Sequence, residues 1–345
     1  MTEYFDDLPD SVNEYFHILS KEIPDFIFEY VKAPEMQRLK GIGMSCGVNF
    51  SKLRPNVMFY SRYEHSIGVA LIVWNFTKDK KQALAGLFHD IANPAFSHCI
   101  DFLNGDYETQ ESTEELTTKI ISESEYIMNL LNRDGIKLEE VDDYKLYPIA
   151  DNDTPKISAD RLEYSLSNGF SLEDFWEDGE IEKIYSNLEI LKNETKEIEL
   201  GFKDEEVAKL FINKIKLLWI DYVEDRFIME IVVKVVKKLN EAGLVQIEDL
   251  YRLSEFEIID LAKKSNILEV KTLVSYIEQT KDLYESDEEV EGRFCIKCPA
   301  KYRYIDPLVQ QNDNVVRLTS ISEMARKAKD DLFKIDFSKF LYSNF

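Results

Sequence analysis

Histidine is scarce in this chain of 345 residues: His17, His65, His89 and His98 are the full set. Two of them fall in "LAGLFHDIANPAFSH" (84–98), where His89 precedes Asp90 at the end of an apolar run. His65 lies near the start of "SRYEHSIGVALIVWNF" (61–76), and Asp160 near the start of "SADRLEYSLSNG" (158–169). Each segment reads as a helix, so two imidazoles and two carboxylates can converge from three helices. Imidazole nitrogen and carboxylate oxygen are borderline-to-hard donors that suit Mn, Fe, Co, Ni, Zn or Mg. Four such donors would hold one divalent metal ion and leave positions open for water. Taken singly, each residue has a structural alternative. A histidine on an apolar helix is commonly a satisfied core residue, and an aspartate in a first helical turn is favourable end chemistry.

The elements that must position these groups are helical. "APEMQRLKGIGMSCGVNF" (33–50) predicts a short helix and a Gly-punctuated loop. Residues 61–76 predict a strongly apolar helix. "DKKQALAGLFHDIA" (79–92) predicts the next one, ending at Asn93 because Pro94 disfavours helical geometry in the residue before it. His89-Asp90 then falls in its last turn. An acidic helix is expected around "TQESTEELTTKIISES", a polar connection over 135–153, and a helix over 158–169 with Ser158 as N-cap and Gly169 as its stop. Further on, 204–240 shows an apolar helical pattern, and "SEFE" (254–257) has capping-box spacing. Partial alternation over 293–308 predicts a small β-hairpin. The expected architecture is all-α in the main. Residues 1–170 form the core bundle, and residues 171–345 a helical C-terminal extension with that minor β element.

Composition excludes several classes. The formal net charge is −24, and acidic residues outnumber basic ones in both halves. Phosphate-backbone binding needs the opposite balance, so nucleic acid is not an expected partner. No apolar stretch reaches membrane-spanning length, and the acidic N-terminus has no signal-peptide pattern, so no membrane association and a cytoplasmic location are expected. The four cysteines do not suggest a disulfide framework. Cys295 and Cys298 form a lone C-x-x-C without a second pair to complete a zinc site, and are expected to pack inside. The sequence leaves a homo-oligomer open.

The order His65, His89-Asp90, Asp160 resembles the H…HD…D signature of the HD-domain superfamily of metal-dependent phosphohydrolases. The likeness extends through "QRL" (37–39), "SRYEHSIGVA" (61–70), "LAGLFHDIANPAFSH" (84–98) and "ADRLEYSL" (159–166), with a fainter echo at "KYRYIDPLV" (301–309). Together these resemble the branch containing the deoxynucleoside triphosphate triphosphohydrolases. The resemblance implies an HD-domain helical bundle with His65, His89, Asp90 and Asp160 as metal ligands. It implies Arg62, Arg161 and Tyr164 as phosphate and sugar contacts, and His98 and Asp101 as pocket groups that handle the water and its proton.

The chain also departs from that pattern. Where relatives often carry Gly-His after the "HDI" segment, it has Ala92-Asn93, so Asn93 becomes a candidate substrate contact in place of an imidazole. A His-Glu pair of the relatives corresponds to "YETQEST" (107–113), leaving Glu108 or Glu111 as proton donor. A nucleoside-contacting glutamine of the relatives corresponds to Met44-Ser45, which cannot reproduce its contacts. The expected activity is metal-dependent hydrolysis of a phosphoester or phosphoanhydride in a small phosphorylated substrate, a nucleotide by preference. The alternatives are a nucleotide monophosphatase or phosphodiesterase, and a degenerate HD module that binds nucleotide or protein without turnover.

Overall fold

The computed structural model describes residues 5–99 and 116–344. Helices α1 (Asp10–Leu19), α2 (Asp25–Tyr30) and α3 (Pro34–Arg38) lead into an irregular segment and then α4 (Arg62–Thr77). The α4 sequence is apolar on every side, and the helix is accordingly buried from Ile67 to Val73. A capping box starts it: Ser61 takes the Tyr63 N–H, while Glu64 reaches back to the Ser61 N–H. Lys78, in left-handed geometry, ends it and turns the chain into α5 (Lys80–Phe88), which packs closely on α4. Gly86 allows that approach, since a Cβ there would come within 3.2 Å of Val69.

Two short helices, α6 (Thr117–Glu123) and α7 (Glu125–Asp134), precede α8 (Ala159–Phe170), which lies against α4. Ser158 caps α8 as expected. Gly169, expected to stop α8, lies inside it and serves packing instead. A Cβ there would collide with Trp176 Nε1 at 2.4 Å and Phe175 at 2.5 Å. Conversely, α5 ends sooner than expected. His89 is its C-terminal flanking residue and Asp90 stands just beyond, in a turn closed by the Asn93 N–H on the Asp90 carbonyl.

The second half continues with α9 (Glu180–Ser186), α10 (Glu205–Glu224), α11 (Arg226–Glu241), α12 (Glu255–Lys264), α13 (Leu268–Gln279), α14 (Leu318–Ile321) and α15 (Glu323–Leu332). The expected capping box at Ser254 and Glu257 opens α12. The run over 204–240 is two helices that meet at Asp225. The apolar core around α4 continues into this half, where Phe202, Phe211 and Trp219 join Ile67 and Leu162. A second apolar cluster surrounds α11 and reaches back to Phe96 and Cys99.

Strands are more extensive than the single hairpin expected. β1 (Leu188–Lys192), β2 (Ile198–Phe202), β5 (Leu308–Gln311) and β6 (Asn314–Arg317) form one sheet in the order β1-β2-β5-β6, with β2 and β5 parallel at Gly201↔Leu308. β3 (Tyr284–Ser286), β4 (Cys295–Ile296) and β7 (Phe340–Tyr342) form the other. Residues 293–308 do not fold on themselves: Cys295–Ile296 pairs with β7, and Leu308 opens a different hairpin with β6. Pro299 and Pro307 both fall within the segment and cannot donate to a ladder. Tyr302 and Tyr304 instead lie against Phe333, with ring centroids 4.6 and 5.2 Å away. Neither Cys295 nor Cys298 is fully buried, contrary to expectation.

Candidate metal centre and its cavity

Helices α4, α5 and α8 bring together three of the four expected ligands. His65 Nε2 lies 3.1 Å from His89 Nε2 and 3.1 Å from Asp160 Oδ1, and His89 Nε2 lies 3.8 Å from Asp160 Oδ1. Donor atoms of His65, His89 and Asp160 all fall within 4.8 Å of one another. Asp90 Oδ2 borders them, 3.4 Å from His89 Nε2 and 3.8 Å from His65 Nε2. These separations suit a shared cation: ligands at right angles on bonds of about 2.1 Å stand about 3.0 Å apart.

The unused ring nitrogens are turned away. His89 Nδ1 faces the Gly86 carbonyl at 2.7 Å, which requires its proton on that side and leaves Nε2 as the donor atom. His65 Nδ1 meets the Glu163 carboxylate, with the same consequence. Complete burial would lower the His65 pKa, yet Glu163, Asp160 and Asp90 outweigh it and push the imidazole up to about 10. A cluster that holds a proton so firmly against desolvation favours a divalent cation in the same place.

Glu163 escaped the sequence reading. It is fully buried and accepts from Tyr60 Oη at 2.8 Å, Tyr15 Oη at 3.1 Å and Ser167 Oγ at 3.1 Å, in addition to His65. Its position is made by Gly68, where a Cβ would lie 2.7 Å from both Cγ and Oε1 of Glu163. Two signals were available: Glu163 follows Asp160 by one helical turn, and Gly68 interrupts the strongly apolar helix α4.

The remaining candidates divide. Arg62, buried, donates from NH1 to Asp90 Oδ2 at 2.5 Å and from Nε to Ser97 Oγ at 2.6 Å. Burial raises the Asp90 carboxyl, but the charges of Arg62, His89 and His65 outweigh it and hold it at about 2. Asn93 donates to the other Asp90 oxygen. Arg161 braces the loop before α8 through Lys156 O at 2.9 Å, the Asn152 side chain, and Asp151 at 3.3 Å. Tyr164 stands edge-on to Tyr222, and burial raises its hydroxyl pKa. Asp101, Glu108 and Glu111 lie outside the described residues.

The cluster opens on a cavity of about 710 Å³. Arg62, Asn93, His98, Arg161 and Tyr164 line it, together with Lys145 and Lys156. The second half supplies another wall: Tyr222, Asp225 and Arg226 from the α10–α11 junction, and Lys301, Tyr302 and Arg303 from the faint "KYRY" echo. In a chain of net charge −24, basic side chains thus at least match the acidic ones (Asp90, Asp151, Asp153, Asp160, Glu197 and Asp225) around this cavity. No helix among the described residues is long and apolar enough to cross a membrane.

Comparisons with known proteins agree with this geometry. Residues 62–144 match the HD domain family model, which spans α4, α5 and the His89-Asp90 turn. An uncharacterised protein, YdhJ of Bacillus subtilis, is 27% identical over 313 residues, covering 87% of this chain and 88% of that one. A metal-dependent phosphohydrolase, cns2 of Cordyceps militaris, is 26% identical over 293 residues, covering 81% and 79%. Among solved structures, a phosphohydrolase from Bacteroides thetaiotaomicron superposes with a TM-score of 0.63 at 14% identity, over 93% of this chain and 96% of that one. A hypothetical protein from Aquifex aeolicus gives 0.63 at 17% identity, over 100% and 97%. At these identities the two structures establish the fold.

Proposed function

We propose that this chain, which matches the HD domain model over residues 62–144 and resembles a metal-dependent phosphohydrolase, is a cytoplasmic metal-dependent enzyme that hydrolyses a phosphoester or phosphoanhydride bond of a small nucleotide. The observation that carries the reading is the juxtaposition of His65, His89, Asp90 and Asp160 with a cavity rich in arginine and lysine. A divalent ion held there would supply Lewis-acid stabilisation of a phosphoryl oxygen and would make a water acidic near neutral pH.

The chain's own residues do the rest. Glu163 and the Gly86 carbonyl fix the two imidazoles so that both Nε2 atoms face the cavity. Arg62 clamps Asp90 and keeps guanidinium donors beyond its bonds to Asp90 and Ser97, which can meet a phosphate oxygen as charge develops on it. Arg161 supplies positive potential from the cavity wall while its bonds to the 151–156 loop set the shape of that wall. Tyr164 offers a hydroxyl to the sugar, and Asn93 an amide in the place of an imidazole. His98 and Asp101 orient the attacking water. Glu108 or Glu111 protonates the leaving oxygen, since neither of the cavity's two remaining imidazoles, His65 and His89, is free of the cluster.

The test is a screen of purified protein against nucleoside mono-, di- and triphosphates, cyclic nucleotides and simple phosphomonoesters, with Mn, Co, Ni, Zn and Mg in turn. Metal-dependent release of phosphate, pyrophosphate or triphosphate is expected, abolished by Asp101→Asn with metal retained. Nucleotide binding without turnover under every metal would favour the non-catalytic HD module instead.

A further inference from the structure

Most cations on the cavity wall are already engaged. Arg62 is paired with Asp90, Lys156 with Glu197 at 3.0 Å, and Arg161 with Asp151 at 3.3 Å. Lys145, Lys301 and Arg303 also have partners. Arg226 differs. It is only 4% exposed, yet among the described residues no carboxylate lies within 4.0 Å of it. Its Nη1 donates to the Val223 carbonyl at 2.7 Å, while its Nε has no hydrogen-bond partner. One face of the guanidinium lies 4.9 Å from the ring centroid of Phe337. Burial lowers its pKa, and Cys298, Glu285 and Glu224 oppose this only through space.

Placing an unpaired guanidinium in such a site is costly, because its lost hydration is not replaced by an opposite charge. The side chain is nonetheless held at the edge of a space large enough for a small-molecule ligand. Its element, α11, is not one of the helices that carry the metal ligands, and Arg226 forms no ion pair with Asp90 or Asp160. The group that would compensate it is therefore an anion that enters the cavity.

We propose that Arg226 anchors a second anion subsite, which receives a phosphoryl group of the substrate other than the one being cleaved. This rests on the phosphohydrolase reading of the same cavity and narrows it to substrates with two or more phosphoryl groups. The planar guanidinium matches the geometry of a phosphate and is held by Phe337 on its face, so little side-chain freedom is lost when the anion binds.

The test compares the metal-loaded full-length protein with Arg226→Met and Arg226→Lys, using AMP, ADP, ATP and adenosine 3′,5′-bisphosphate. Equilibrium binding is read for ligands that are not cleaved, and KM with kcat for those that are. The parent should favour at least one ligand with several phosphoryl groups over AMP. Arg226→Met, which keeps apolar contact with Phe337, should erase that preference by about 10- to 100-fold and leave AMP within about threefold. Arg226→Lys should restore part of it. Thermal melting separates a binding role from a structural one: removing an uncompensated buried charge should leave the melting temperature unchanged or raise it. A lowered melting temperature with the preference intact would overturn the subsite. So would equal losses for AMP and the polyphosphates. If no ligand is hydrolysed but the preference is present and lost in Arg226→Met, the catalytic reading fails while the subsite stands.

Discussion

Glu163→Gln keeps the size of the side chain and removes its charge and half of its accepting capacity. The wild-type carboxylate accepts from His65 Nδ1, Tyr60, Tyr15 and Ser167. A glutamine offers one oxygen and one NH₂, and both orientations are poor. If the oxygen takes the two tyrosines, the NH₂ confronts His65 Nδ1. The imidazole must then carry its proton on Nε2, the atom that faces His89 and Asp160, and it ceases to be a ligand. If the amide flips, His65 keeps its tautomer but two buried hydroxyls lose their acceptor, at about 1–3 kcal/mol each. Whichever is lower, metal affinity should fall by about 10- to 100-fold, or roughly 1.4–2.8 kcal/mol. Calorimetric metal titration against a competing chelator measures this directly, with circular dichroism to establish that the variant is folded. Parental affinity in a folded Glu163→Gln protein would refute the claim that Glu163 sets the His65 tautomer.

Three further outcomes follow from the same contacts. Gly68→Ala gains about 1 kcal/mol of helix propensity. It also drives a Cβ to 2.7 Å from the Glu163 side chain, so the net effect should be destabilisation of about 1–3 kcal/mol in denaturant melts, with weaker metal binding; a stabilised variant would contradict the packing. Asp90→Asn should lower metal affinity at least about tenfold, while Asp90→Ala, which leaves Arg62 buried without its partner, should in addition destabilise the protein by about 3–5 kcal/mol; equal stability of the two variants would count against the buried pair. Glu255, fully buried, is pushed up to about 8 by burial, against the N–H bonds of Gly43 and Phe96 and the charge of Arg62. Its folded value exceeds its unfolded value of about 4.3, so its contribution is complete below that lower value and lost as pH rises through about 8. Between pH 5 and 9 the parent should lose on the order of 3–5 kcal/mol that Glu255→Gln retains; parallel stability profiles would overturn the assignment.

The candidate ligand cluster of His65, His89 and Asp160 was legible because its chemistry is rare in this chain: four histidines leave few ways to pair imidazole with carboxylate. Helix starts were legible for a local reason, since Ser158 and Ser254 satisfy N–H groups within three residues of themselves. Helix ends were harder. Gly169 looks like a stop but yields to Phe175 and Trp176, whose approach depends on tertiary packing. Strand pairing was hardest, because Cys295–Ile296 finds its partner at the far end of the chain, in Phe340–Tyr342. Glu163 was hidden for a different reason. A glutamate in a helix normally faces water, and only the space left by Gly68 on another helix turns it inward.

The parallel pairing of β2 with β5 has a consequence for the order of assembly. His65, His89 and Asp160 all lie in the first half of the sequence, and His65 meets Asp160 across 95 residues. Arg303 and its neighbours adjoin the strand in which Leu308 pairs with Gly201, a closure of comparable span whose second partner is made much later in the chain. During synthesis the candidate ligands therefore emerge, and can meet, before the wall that carries Arg303 has been made.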